Sequence, residues 1–295
     1  MRNIGLVWAL CGLCTLSAQT TDLARIEYML IPQANSDNSI NRFRGFVNFP
    51  IPLEWDGSYL VPGLEYRNVD LDIEDPVPFD IKNVQKFQMF RLSMGYTFKV
   101  SKAWRVGMKV GVEIASNFEQ RTAKGSDLRF TGAGYFVKDR TADSIAKKDR
   151  LIVGLQYSTN AGRPFPIPVV NYYRKFHPNW SYTLGVPKMN LKRDLTDKQT
   201  VQTFITVDGF FSNLQNDLPI HNGSNFPGMA DNISMTVILG GLGYEYFFSQ
   251  HLLFYFYGGY TGFNEIRLRD GNRETLYKIN EENTFYIRSG IKFKL

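Results

Sequence analysis

The feature that most limits what this chain can fold into is a two-residue hydrophobic alternation sustained over long stretches. Leu92, Met94, Tyr96, Phe98 and Val100 share one face, and Arg91, Ser93, Gly95, Thr97 and Lys99 share the other. After a turn at 101–103, Trp104, Val106, Met108, Val110, Val112 and Ile114 resume the apolar face. Arg105, Gly107, Lys109, Gly111 and Glu113 oppose them. Successive strand residues point to opposite faces, so this pattern is an antiparallel hairpin of two long strands. The same texture recurs at 24–30, 42–49, 64–67, 151–158, 180–185, 201–208, 241–246 and 285–295, and no helical period competes with it. Composition agrees, because 23 Phe and 16 Tyr suit strands while 25 Gly and 13 Pro punctuate turns.

The connections fall into two kinds. Short ones lie at 101–103, 177–179, 196–198 and 249–251, and long ones at 74–86, 119–126, 212–232 and 269–283. Outer-membrane barrels alternate short periplasmic turns with longer external loops. The expected fold is therefore all-β, a closed antiparallel transmembrane β-barrel. Fourteen strands place every short turn at one end, with short strands near 180–184 and 189–194 joined at 186–187, and twelve is the alternative count. No stretch of about 18 or more apolar residues supports a transmembrane helix.

Alternation does not say which face is wet. A barrel of about eight strands is already filled by its side chains. An apolar interior in a barrel of twelve or fourteen would enclose a large empty space. The apolar face is therefore expected in lipid and the charged face in the lumen. Expected lumen-lining residues are Arg42, Arg44, Glu65, Arg67, Arg91, Lys99, Arg105, Lys109, Glu113 and Glu245, with Glu27 and Asp208 on the same face. Opposite charges on facing strands can pair, so the interior is read as closed and salt-bridged ahead of an open charged pore.

Residues 1–18 differ from the rest. Arg2 is followed by an apolar run over 4–16 and by the small residues Ser17 and Ala18, the pattern of a cleaved secretory signal peptide. The expected organisation is a signal peptide at 1–18 and one barrel at 19–295. Both cysteines, Cys11 and Cys14, fall in the leader, which leaves no disulfide or Cys-ligated metal beyond it. A formal net charge of +6 with scattered Lys and Arg gives no nucleic-acid footprint.

The last strand carries Arg288, Gly290, Phe293 and Leu295 in a polar–Gly–apolar–apolar spacing that resembles the β-signal of outer-membrane proteins. That resemblance implies the Sec export and barrel-assembly machineries as partners, together with outer-membrane lipid and lipopolysaccharide. Over most of its length the chain also resembles uncharacterised outer-membrane β-barrel families of Bacteroidota-type Gram-negative bacteria. The resemblance rests on the Ala18–Gln19 junction, the segments 60–66, 180–187 and 244–247, and the last strand. It implies a cell outer-membrane location and no particular activity.

Candidate chemistry is sparse. His177, His221 and His251 lack metal-ligand spacing. The stretch 156–162 faintly resembles the His-x-Ser-x-Asn arrangement of outer-membrane lipid A deacylases. However, Gln156 stands where Ser158 would need a base. Asp70, Asp72, Glu74, Asp75 and Asp80 form an acidic segment read as solvated. The chain is thus expected to be a non-enzyme without cofactor or metal. It would pass or bind a small polar solute, or alternatively be a closed barrel acting through its external loops. A lipid-modifying enzyme ranks last.

Overall fold

A computed structural model describes residues 22–55, 57–141, 148–159, 162, 165–221 and 228–294. The described residues form sixteen strands in one antiparallel sheet, fourteen of which close into a barrel. In chain order they are β1 (Asp22–Pro32), β2 (Ser39–Asn48), β3 (Ile51–Pro52), β4 (Tyr59–Asp72), β5 (Lys86–Lys99) and β6 (Trp104–Ser116). Then follow β7 (Leu128–Asp139), β8 (Lys148–Ser158), β9 (Phe165–His177), β10 (Trp180–Val186) and β11 (Lys188–Thr196). The last are β12 (Gln199–Ile220), β13 (Gly228–Phe247), β14 (Leu252–Arg269), β15 (Thr275–Asn280) and β16 (Phe285–Lys294). Each stave pairs with its sequence neighbour, and β1 pairs with β16 from Asp22↔Lys294 to Leu30↔Ile287, which closes the cylinder. β3 and β15 are short additions to β4 and β14.

The turns at 100–103, 178–179, 197–198 and 248–251 share one end, here the lower, with Asp22 and Lys294. Longer connections at 33–38, 73–85, 117–127 and 270–284 share the upper end. Apolar side chains point outward along the staves. Ile26, Leu92, Val110, Phe130, Leu242 and Phe285 are each 60–72% exposed, while Glu27, Arg42, Glu113 and Glu245 are buried inside. A wall so arranged satisfies its backbone by strand pairing and turns its greasy face outward, as lipid requires.

Strand lengths are uneven. β10 and β11 have 7 and 9 residues, whereas β12 and β13 have 22 and 20. β11 pairs with β12 only up to Lys188↔Thr206. One further backbone bond, from the Val207 amide to the Pro187 carbonyl at 2.9 Å, ends the pairing on that side among the described residues, and β12 then turns inward with β13. Asn213 then pairs in parallel with Ser116 of β6. Five staves, β7 to β11, separate β6 from β12 in the wall, so this pairing is made across the lumen. The segment 209–215 is buried on both faces.

The inward ribbon shapes the upper half. β12, β13, β14, β16, β1, β2, β4, β5 and β6 form a smaller ring around an apolar core. That core holds Met29, Ile31, Ile40, Val69, Phe87, Phe210, Leu214, Leu218 and Ile233. Phe210 sits 6.1 Å from Phe87, centroid to centroid. The sequence reading of 212–232 as an external loop is therefore corrected. Residues 212–220 and 228–232 are strand, and 222–227 lie outside the described residues. Ser212, Asn213, Gln215 and Asn232 look like loop residues, but here they are buried in the interior. Asn213 and Gln215 donate to the two oxygens of Asp127, at 2.8 and 2.7 Å.

Candidate functional site

Below the apolar core the lumen is filled by charge. Arg42 of β2 donates to both oxygens of Asp208 at 2.8 Å and to Glu27 at 3.1 Å. Glu27 also accepts 2.6 Å from the Tyr255 hydroxyl, and Arg288 approaches Glu27 and Asp208 at 3.8 and 3.5 Å. Arg67 donates to the Gly209 carbonyl at 2.9 Å, so two wall arginines hold β12 where it turns inward.

A second cluster centres on Glu65. Arg44, Arg67 and Arg91 reach it at 2.8, 3.0 and 2.8 Å, and Arg91 continues to Glu113 at 2.9 Å. A third centres on Glu245, which takes Lys192 at 2.9 Å and Gln202 at 3.0 Å, and also the Tyr257 hydroxyl. Lys292 lies 4.2 Å from the centre of the Tyr255 ring, a cation–π contact. Charges this deep hold together only when paired and hydrogen-bonded.

Of the lumen residues expected from sequence, Arg42, Arg44, Glu65, Arg67, Arg91, Glu113 and Glu245 fall within these clusters. Lys109 lies beside the second. Lys99 and Arg105 do not join the clusters. They sit at the lower rim, where Arg105 donates to the Gly57 carbonyl at 2.7 Å and Lys99 is exposed. Their strand parity is inward, but the lumen has already opened to solvent at their level.

The terminal-strand residues gain structural roles as well. Arg288 belongs to the Asp208 cluster, and Phe293 faces outward at 44% exposure. A Cβ on Gly290 would fall 2.2 Å from the Ile26 carbonyl oxygen. Leu295 lies outside the described residues, as do residues 1–18. Ser158 is buried and accepts from the Gln156 amide at 2.8 Å, while Asn160 and Ala161 are outside the described residues.

Tyr255, Tyr257, Lys192 and Lys292 were missed as lumen residues by the sequence reading. On β14 both faces are aromatic over 254–257, so the period-2 signal vanishes. The residue types still carry it: Tyr255 and Tyr257 are buried and find partners, while Phe256 is 46% exposed.

Near the lower end, the Glu65 cluster borders a cavity of about 270 Å³. It is lined by Asp22, Arg44, Phe46, Asn48 and Glu65, and by Leu64, Arg91, Ser93 and Lys109.

A model of the family described as a domain of unknown function (DUF6268) matches residues 79–294. No curated protein matches the sequence. Solved structures similar to it include LpxR from Salmonella typhimurium, at 9% identity and TM-score 0.39, covering 92% of this chain and 100% of that one. The NanC porin gives 10% identity, TM-score 0.39, and coverage of 92% and 100%. The translocator domain of autotransporter NalP from Neisseria meningitidis gives 10%, 0.35, and coverage of 100% and 94%. Likeness at this level says nothing about activity.

Proposed function

Because the chain belongs to the DUF6268 family, whose function is unknown, we propose a role from its own geometry. It is an integral outer-membrane β-barrel that rests closed, and it does not serve as a permanently open diffusion pore. The observation that carries this reading is the β12–β13 ribbon. It crosses the lumen to pair with β6 and roofs the ionic clusters with an apolar core. Ions and polar solutes meet a large barrier in such a core, since desolvating them is costly.

The outward apolar belt supports the membrane location. The same reading includes removal of residues 1–18 on export and recognition of the last strand, through Arg288, Gly290, Phe293 and Leu295, by the barrel-assembly machinery. Outer-membrane lipid and lipopolysaccharide are the surroundings it implies, in a Gram-negative host of Bacteroidota type.

The test is planar-bilayer recording on refolded protein, alongside membrane fractionation. The expected result is outer-membrane residence with no steady conductance. A sustained conductance of porin size would overturn the closed reading, and recovery in the water-soluble fraction would overturn the membrane reading.

A further inference from the structure

We propose that the lower cavity is a binding site for a small oxyanion, a solute bearing phosphate or carboxylate. The proposal rests on the closed-barrel reading, in which the cavity is a blind chamber reached from the lower end.

Charge balance is the first argument. Arg44, Arg91 and Lys109 line the chamber, and Arg67 stands next to it. Glu65 serves Arg44, Arg67 and Arg91 together, and Glu113 is the further carboxylate on Arg91. The other acidic lining residue, Asp22, is paired with Arg25. Lys109 has no carboxylate within 4.0 Å among the described residues. Arg44 meets Glu65 through Nε, and its guanidinium lies 5.2 Å from the Phe46 ring centre. An aromatic face steadies the fork while leaving terminal N–H groups for an acceptor, the geometry in which arginine recognises oxyanions.

Access and size are the second argument. Lys109 belongs to the inward face of β6, with Arg105 and the fully buried Glu113, yet it is solvent-exposed. Water therefore reaches the chamber at that level. A volume of about 270 Å³ lies just under the range of about 300–1,000 Å³ typical of ligand pockets, which suits a small solute. Asn48 and Ser93 complete the lining, held in place by bonds from the Asn48 amide to the Asp22 carbonyl at 3.4 Å and from the Ser93 hydroxyl to the Gly63 carbonyl at 3.3 Å. An anion held here would balance Lys109 and take up the terminal N–H groups of Arg44, in surroundings where Coulomb attraction is stronger than in bulk water.

The test uses the refolded barrel from residue 19 onward in zwitterionic detergent, with inorganic phosphate as probe and chloride at matched ionic strength as reference. Phosphate is expected to raise the urea unfolding midpoint and to bind saturably in calorimetry. Lys109→Gln removes a cation without breaking any ion pair, so folding should persist while phosphate affinity falls about tenfold. Arg129→Gln, on β7 outside the chamber lining, should bind as wild type. A second arm adds phosphatidylglycerol to the micelles without phosphate. A shift there but none with phosphate would overturn the solute reading in favour of a lipid headgroup. Equal effects of phosphate and chloride, or unchanged affinity in Lys109→Gln, would overturn the site. A folded, non-conducting barrel that binds no anion would leave the closed-lumen reading standing, so the two failures are distinguishable.

Discussion

Arg42 and Asp208 are 166 positions apart in the chain and meet through two bonds of 2.8 Å, one from each terminal guanidinium nitrogen. One belongs to a stave of the wall, and the other stands two residues above the point where β12 loses its neighbour β11. The pair pins the root of the ribbon that closes the lumen. Arg42 is 2% exposed, and without Asp208 it is left with Glu27 alone, which Arg288 also approaches; breaking a buried pair of this kind costs about 3–5 kcal/mol. Asp208→Asn is expected to lower unfolding free energy in urea by about 3 kcal/mol and to produce intermittent conductance where the wild type has none. The chain from residue 19 onward has no cysteine, so a disulfide introduced at Ser116 and Asn213 would be unambiguous. Oxidation should silence the Asp208→Asn current and reduction restore it. An Asp208→Asn barrel as stable and silent as wild type would mean that packing alone holds the ribbon.

The lipid-facing assignment can be tested at Leu92, which is 62% exposed and sits mid-strand between Leu64 and Val112. A charged residue on the lipid face near the bilayer midplane costs about 2–4 kcal/mol. On a water-exposed surface the same change costs within about 0.5 kcal/mol. Leu92→Arg is expected to destabilise the barrel in lipid vesicles by about 3 kcal/mol, with Ser101→Arg in the lower turn near zero. Equal, small effects at both sites would place the apolar face in water.

Much of the barrel is legible in the sequence because its physics is local. The alternation at 91–114 yields β5, β6 and their shared turn directly. The brief β10–β11 hairpin is marked by its own two short runs. The ribbon is not legible, since it depends on strands far apart in sequence. Ser212, Asn213 and Gln215 read as loop because no lipid face interrupts their polarity. Their partners, Ser116 at the end of β6 and Asp127 in the connection that follows it, cannot be found by periodicity. The ionic clusters are legible in part. Parity marks Arg42, Glu65 and Arg91 as inward, but which carboxylate each meets depends on how the cylinder closes.

Tyr255 gives a measure of how much a neutral hydroxyl contributes to these clusters. It donates 2.6 Å to Glu27, which is 1% exposed. A hydrogen bond to a charged group is worth about 1.5–3 kcal/mol. Tyr255→Phe is expected to cost about 2 kcal/mol in urea unfolding. Tyr260→Phe, whose hydroxyl bonds the Asn283 carbonyl at an exposed site, should cost about 0.5 kcal/mol. Reversal of that order would show that Glu27 is satisfied by its arginines without the phenol.

Just below the ribbon β13 and β14 lie close, and two facing glycines permit it. Gly241 pairs with Gly259, just below a register shift between Ile238 and Leu239. A Cβ on Gly259 would sit 1.9 Å from the Gly240 carbonyl oxygen and 2.6 Å from the Gly241 Cα. These are backbone atoms, so the clash cannot be relieved by rotating a side chain. The strands must separate, which weakens the ladder on both sides of the bend. Overpacking of this kind costs about 1–3 kcal/mol. Gly134 on β7 provides the contrast, because a Cβ there meets nothing within 4 Å. Gly259→Ala should therefore lower the urea midpoint and slow assembly into vesicles, while Gly134→Ala leaves both unchanged. If Gly259→Ala assembles and unfolds like wild type, the close approach of β13 and β14 does not depend on glycine there.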